Sequence, residues 1–168
     1  MAAILTSRGL AVGDERKIYG LEKLRETLKV SEPTAKAMRS NRATETKPEI
    51  KLRQALWAAG LRGYRKNVRR LPGAPDVVFG PSKVCVFLHG CFWHGCERCT
   101  RNLKPRKNAA YWQAKIMRNQ ERDRRNEAAL EADGWFVLTI WECELKEGLP
   151  AFVERVLQAV ERRRKSHG

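Results

Sequence analysis

The sequence predicts an α/β fold, a mixed sheet flanked by helices, and three observations predict it. Apolar runs of strand length follow Pro-Gly or Gly turns at DVVF (76–79), VCVFL (84–88) and WFVLTIW (135–141). A long helical segment, Ala109 to Ala132, separates the second run from the third, and it alone can supply a crossover. The 168-residue length suits one domain with its own core and no covalent staples.

In chain order, residues 1–33 read as an N-terminal extension, with Tyr19 to Val30 capable of a short amphipathic helix; residues 34–168 form the domain. From Ser31 to Lys47 the chain is polar and basic, an arm able to lay Arg39 and Arg42 along phosphates. Thr46 as N-cap, Pro48 in the first turn and Glu49 at the positive end of the dipole open the first confident helix. Ile50, Leu52, Leu56, Trp57 and Leu61 give it an apolar stripe, and Gly60 and Gly63 end it. LPGAPDVVFG (71–80) is a turn leading into a strand, and a second turn at Gly80-Pro81 precedes VCVFL. Asn108 is a candidate cap for the long helix and Gly134 its stop; Lys115, Arg118, Arg122, Arg124 and Arg125 are interleaved there with acids. WFVLTIW reads as a buried strand, with Trp135, like Trp57, in the core. Pro150 sits in the first turn of a closing helix that ends in a basic tail.

Lys and Arg number 34 against 19 Asp and Glu, a net charge of +15 that seeks a polyanion, and nucleic acid is the first candidate. No apolar run approaches the ~20 residues needed to span a bilayer. Five cysteines, an odd number, and a charged segment where a signal peptide would need a cleavage site fit a reducing cytoplasm, where thiols bind metal or fill cores.

HGCFWHGCERC (89–99) concentrates the chemistry. Cys91, Cys96 and Cys99 lie close together and Cys143 follows the third strand, which is the ligand pattern of a closed, structural Zn²⁺ site. His94 could replace one thiol as ligand, and Cys96-x-x-Cys99 could be a redox pair, although it lies among arginines rather than at a helix start. Cys85, inside the second strand, reads as an inert core thiol. Asp76, at the start of a strand, is either a Mg²⁺ ligand or a turn-capping acid. His89 and His94 are candidate proton acceptors at neutral pH, or else ligands or core groups.

The stretches KPEIKLRQALWAAGLR, LPGAPDVVF, VCVFLHGCFWHGCERC, YWQAKIMRNQERDRRNEAAL and GWFVLTIWEC closely resemble the very-short-patch-repair (Vsr) DNA mismatch endonucleases, over about residues 34 to 145. The resemblance implies a restriction-endonuclease-like fold and Mg²⁺-dependent nicking of one strand 5′ to the thymine of a T·G mismatch left by deamination of 5-methylcytosine. It makes Asp76 the principal metal ligand, the Leu88 carbonyl the second, His94 the general base or water positioner, His89 its support, and Glu49 an acid ordering waters around the metal. Phe92, Trp93 and Trp112 match the family's aromatic wedge, and Arg118 and Arg122 join Arg39 and Arg42 as DNA contacts. Where many relatives carry a histidine five residues after the first cysteine, this chain has Cys96, and Cys99 falls one residue later than the usual ligand. The family further suggests a bacterial, nucleoid-associated monomer, with a methyltransferase or mismatch-repair proteins as possible partners. Two other classes compete: a zinc-stapled domain that binds DNA without cutting it, and a thiol redox protein.

Overall fold

The computed structural model describes residues 45–99 and 108–166. The extension 1–33, the helix at Tyr19 to Val30 and most of the basic arm, with Arg39 and Arg42, lie outside the described residues.

Helix α1 (Lys47–Ala58) begins as expected: Glu49 N–H donates to Thr46 Oγ1 and the Glu49 side chain returns to the Thr46 backbone, a capping box with Pro48 in the first turn. It ends at Ala59, and Gly60 follows at φ +83°. Its buried face differs from the expected stripe. Glu49, Leu52, Arg53 and Leu56 point inward, whereas Ile50 is 39% and Trp57 57% exposed. The cause is a buried ion pair one turn apart, Arg53 Nη1 to Glu49 Oε2 at 3.4 Å, which occupies the inward line and turns Ile50 and Trp57 to solvent. Trp57 is therefore not a core residue; the Arg62 guanidinium covers its ring at 3.7 Å.

Four strands form one sheet in the order β1 (Arg65–Lys66), β2 (Val77–Phe79), β3 (Val84–His89), β4 (Phe136–Trp141). The exposed, two-residue β1 has no apolar residue to signal it. β2 pairs antiparallel with β3, with Val77 opposite Val86, across the Gly80-Pro81 turn. β3 pairs parallel with β4 from Val84↔Phe136 to His89↔Trp141. Helix α3 (Ala109–Ala132) is the crossover, so the sheet is mixed for the reason anticipated. Asn108 precedes α3 in the left-handed region, and its side chain makes no cap bond. Short helices α2 (Cys91–His94) and α4 (Glu144–Glu147) follow β3 and β4, and α5 (Leu149–Ser166) closes the chain with Pro150 in its first turn.

The period of two along the strands divides the core. Val84, Val86, Leu138 and Ile140 pack with Leu52, Leu56 and α5 residues Phe152, Val153 and Val156 on one face. Cys85 and Val78 pack with Leu130 on the other, where Phe87, Val137 and Trp135 are partly buried. β4 is thus half-buried rather than buried throughout, and Phe136 at its start is 43% exposed. Trp135 lies at the rim of the smaller cluster, half-buried, its Nε1 donating to Asp133 at 2.9 Å.

Leu130 is the one buried residue of α3, so the helix is anchored at its carboxyl end mainly by this side chain. Leu130→Ala should lower unfolding free energy by about 3 kcal/mol, measured by urea denaturation; an unchanged midpoint would show that α3 is held by other contacts.

Candidate active site and thiolate cluster

A cleft of about 290 Å³ opens over the β3–β4 end of the sheet, between the β1–β2 loop and α3. Asp76, Leu88, His89 and His94 all line it, together with Asp123, Asn126, Glu127, Arg69 and Arg122. Crevices at the carboxyl ends of parallel strands are common ligand sites, because chain leaving the strands there is free to surround them.

Asp76 immediately precedes β2, and its Oδ2 accepts the Leu88 N–H at 2.7 Å. Burial pushes its pKa up to about 6 against the pull of that bond, and nearby Glu49 pushes the same way. The Glu49 carboxylate is buried and shared among the Glu45 N–H, Thr46 Oγ1 and Arg53; it does not line the cleft but acts on Asp76 through its charge. Arg53 also pairs with Glu45 at 2.7 Å, and Lys66 pairs with Glu45 at 2.9 Å, which ties the start of α1 to β1.

His94 Nδ1 lies 2.5 Å from Asp123 Oδ2. Burial opposes ionisation of Asp123, but the His94 bond and nearby positive charge outweigh it and hold the carboxyl below its ordinary range. His89 stacks on His94, ring centroids 4.0 Å apart at 8°, with Trp141 edge-on to His89. Burial, and secondarily His94, push His89 down to about 4, so it is neutral at pH 7. His94 therefore faces the acid Asp123, not the cysteines, and the reading of His94 as a zinc ligand falls away.

The thiols of Cys91, Cys96, Cys99 and Cys143 form a separate group with every sulfur within 4.8 Å of the others. Cys96 and Cys143 are 3.8 Å apart, too far for a disulfide. Four sulfurs ~2.3 Å from one tetrahedral ion would lie ~3.8 Å from each other, so the donor set fits a closed metal site. The cluster joins α2 to the end of β4. Glu144 braces the same junction, accepting from Trp141 N at 2.8 Å and Arg98 Nη1 at 2.7 Å.

Phe92, Trp93 and Trp112 meet edge to face with centroids 5.0–5.8 Å apart, all half-buried, and Lys115 Nζ lies 5.0 Å from the Trp93 ring. α3 grips α2 by its backbone: Asn119 Nδ2 donates to Trp93 O and Gln120 Nε2 to His94 O. Gly95 lets the two approach, since a Cβ there would stand 2.6 Å from Gln120 Nε2. Arg118 and Arg122 are exposed on α3.

A family model described as DNA mismatch endonuclease Vsr matches residues 30–101. A type II nicking enzyme of Neisseria meningitidis serogroup A, V.NmeAIP, is 48% identical over 102 residues, 61% of this chain and 71% of the relative. V.NmeDIP, a type II nicking enzyme of N. meningitidis serogroup C, is 42% identical over 77% of this chain and 86% of its own length. The DNA mismatch endonuclease Vsr of Escherichia coli K12 is 38% identical over 67% of this chain and 70% of its own length. This chain belongs to the Vsr family. Membership makes it a DNA endonuclease, a hydrolase of phosphodiester bonds, and the cleft, with its acids and histidines, is a candidate place for that chemistry. No helix among the described residues is long and apolar enough to cross a membrane.

Asp123 escaped the sequence reading. Its signal was faint: an acid within ERDRR on a helix already crowded with charge, whose partner His94 is 29 residues away. Only the packing of α3 on α2 brings them together. Arg53 was likewise invisible, because a buried arginine looks like a surface one in sequence.

Two measurements follow. Elemental analysis of purified protein should find one zinc per chain, and Cys143→Ser should lose it; folded protein without metal would remove the thiolate site. Asp76 has a folded pKa of about 6 against an ordinary 3.8, so its ionisation destabilises the folded state as pH rises through about 4 to 6. Without added Mg²⁺, Asp76→Asn should therefore be more stable than wild type at pH 7.5 by about 1–3 kcal/mol and equal to it near pH 4. Thermal melts at both pH values measure this, and equal stability at pH 7.5 would contradict the burial of the carboxylate.

Proposed function

We propose that this endonuclease nicks one strand of duplex DNA 5′ to the thymine of a T·G mismatch, with Mg²⁺ held by Asp76 and the Leu88 carbonyl and Zn²⁺ held by Cys91, Cys96, Cys99 and Cys143. The observation that carries the proposal is the meeting of Asp76, His94, His89 and Asp123 around one cleft, beside an aromatic cluster seated on the thiolate-bearing α2. The mixed sheet with an acid at the mouth of β2 is in keeping with a restriction-endonuclease-like fold.

The donor set suits a hard cation. Asp76 Oδ2 is engaged by Leu88 N–H, and the carboxylate lines the cleft. A strand residue directs its N–H and C=O toward the same neighbour; the His89 carbonyl serves β4 through Glu142 N, so that of Leu88 faces the Asp76 side. Mg²⁺ bound there supplies charge neutralisation to the phosphate.

The protein groups do the proton work. Asp123 accepts a hydrogen bond from the Nδ1–H of His94, which leaves the Nε2 lone pair to accept a proton from the attacking water. Asp123 also stabilises the imidazolium that results. His89, neutral and stacked on the ring, keeps His94 in its plane without competing for the proton. Glu49, anchored by Arg53 and set back from the cleft, adds negative charge behind Asp76 rather than ordering water at the metal. Phe92, Trp93 and Trp112 wedge into the base stack; a mismatched step is cheaper to unstack than a paired one, which is how an apolar wedge selects it. Arg118 and Arg122, and Arg39 and Arg42 of the arm, contact phosphates.

The test is strand-specific cleavage of an end-labelled T·G duplex. Wild type should nick it in Mg²⁺ and not without divalent cation, and Asp76→Ala should lose at least a hundredfold in rate while still binding. Equal, intact substrate with wild type and variant would favour a zinc-stapled DNA-binding domain. Equal nicking of a fully paired duplex would leave nicking standing and remove the mismatch requirement, a reading the relatives named type II nicking enzymes keep in view.

A further inference from the structure

We propose that Arg69, on the loop between β1 and β2, grips a phosphate of the nicked strand at the rim of the cleft. The proposal rests on the nicking reading and starts from charge. Asp76, Asp123 and Glu127 all line the cleft, and three carboxylates repel a phosphodiester that must come within bonding distance of them. The site therefore needs fixed positive charge of its own. Among the lining residues Arg69 and Arg122 carry it permanently. Arg122, a phosphate contact in the reading above, shares its charge with Asp123, its Nη2 3.2 Å from Asp123 Oδ1. Arg69 has no ion-pair or hydrogen-bond partner among the described residues and is exposed.

The loop that carries Arg69 is built to hold it in place. Asn67 N–H donates to Asp76 O and Val68 N–H to Pro75 O, both at 3.3 Å, while Leu71 and Ala74 N–H close turns back to Val68 and Leu71. Val68 and Leu71 pack on the smaller core cluster on either side of Arg69. Gly73, at φ +74°, presses against α3 so closely that a Cβ would stand 2.9 Å from Asn126 Nδ2. Ala74 follows at φ +51°, a conformation a residue with a Cβ keeps only when its surroundings enforce it. The Asn67 and Val68 bonds refer the loop to the segment that carries Asp76, the Val68, Leu71 and Gly73 contacts refer it to the sheet and helix beside the cleft, and the internal turns stiffen it, so the Arg69 backbone keeps a set distance from the acid. A guanidinium suits the task, since its planar fork meets two phosphate oxygens at once. Arg70, next in the chain and equally exposed, does not line the cleft and provides the internal control.

Binding to a labelled T·G duplex without divalent cation, titrated over a range of salt, tests the contact. Arg69→Ala should weaken binding about tenfold at moderate salt and reduce the slope of log K against log salt by about 1, as for one lost phosphate contact. Arg69→Lys should keep the slope, and Arg70→Ala should change affinity less than twofold. A wild-type slope in Arg69→Ala, or an equal loss in Arg70→Ala, would overturn the proposal, the second because it would mean a diffuse field instead of a contact. If wild type fails to nick in Mg²⁺, the nicking reading falls by itself, and the slopes still decide whether Arg69 touches DNA.

Discussion

The parallel pairing of β3 with β4 is the constraint on which the site depends. Its register runs to His89↔Trp141, so both strands release the chain at the same level. One chain turns at once into α2 with Cys91 and His94; the other turns at Cys143 into α4. A slip of one residue would reverse which side chains face α3 and which face α1 and α5. It would bury Leu88 where His89 stands and pull the thiols out of reach of each other. The long α3 exists to make this pairing possible, since two parallel neighbours cannot be joined by a tight turn.

Electrostatics explains why the site is assembled around its acids rather than through a conventional core. Glu49 raises the cost of ionising Asp76, and Arg53, buried against Glu49, offsets part of it. The pairing gives half the buried face of α1 to charge, a local weakness in hydrophobic packing behind Asp76. On the α3 side the Asp123–His94 bond does similar work, since the acid that would otherwise repel DNA is tied to the ring it orients. Stability is given up at the residues proposed to carry the reaction, the usual pattern for active sites.

The thiolate cluster and the aromatic cluster share α2, which links folding to recognition. Four residues of helix are too few to be stable alone. α2 is held on one side by Asn119 and Gln120 of α3, which bond its carbonyls, and on the other its Cys91 sulfur lies within 4.8 Å of those of Cys96, Cys99 and Cys143. Phe92 and Trp93 stand on the same short helix as His94, so a metal at the four sulfurs would steady the proposed wedge and the His94 ring together. Cys96 converges with Cys91, Cys99 and Cys143 in one donor set.

The sequence by itself determined β2, β3 and β4, the crossover, and Asp76, Leu88, His89 and His94 of the cleft, because these rest on local chemistry: apolar runs, a proline in a first turn, glycine turns, histidines and an acid at strand ends. The α3 limits, the capping box at Thr46 and the convergence of Cys143 on Cys91, Cys96 and Cys99 agree with that reading. Tertiary structure alone decided which way amphipathic elements turn and which distant charges meet. Ile50 and Trp57 lost the inward face of α1 to Glu49 and Arg53, β4 was buried on one side only, and Asp123 came to His94 through the packing of two helices. Such pairings depend on distances between elements far apart in the chain, and those distances are set by the whole packed structure, not by any local pattern of residues.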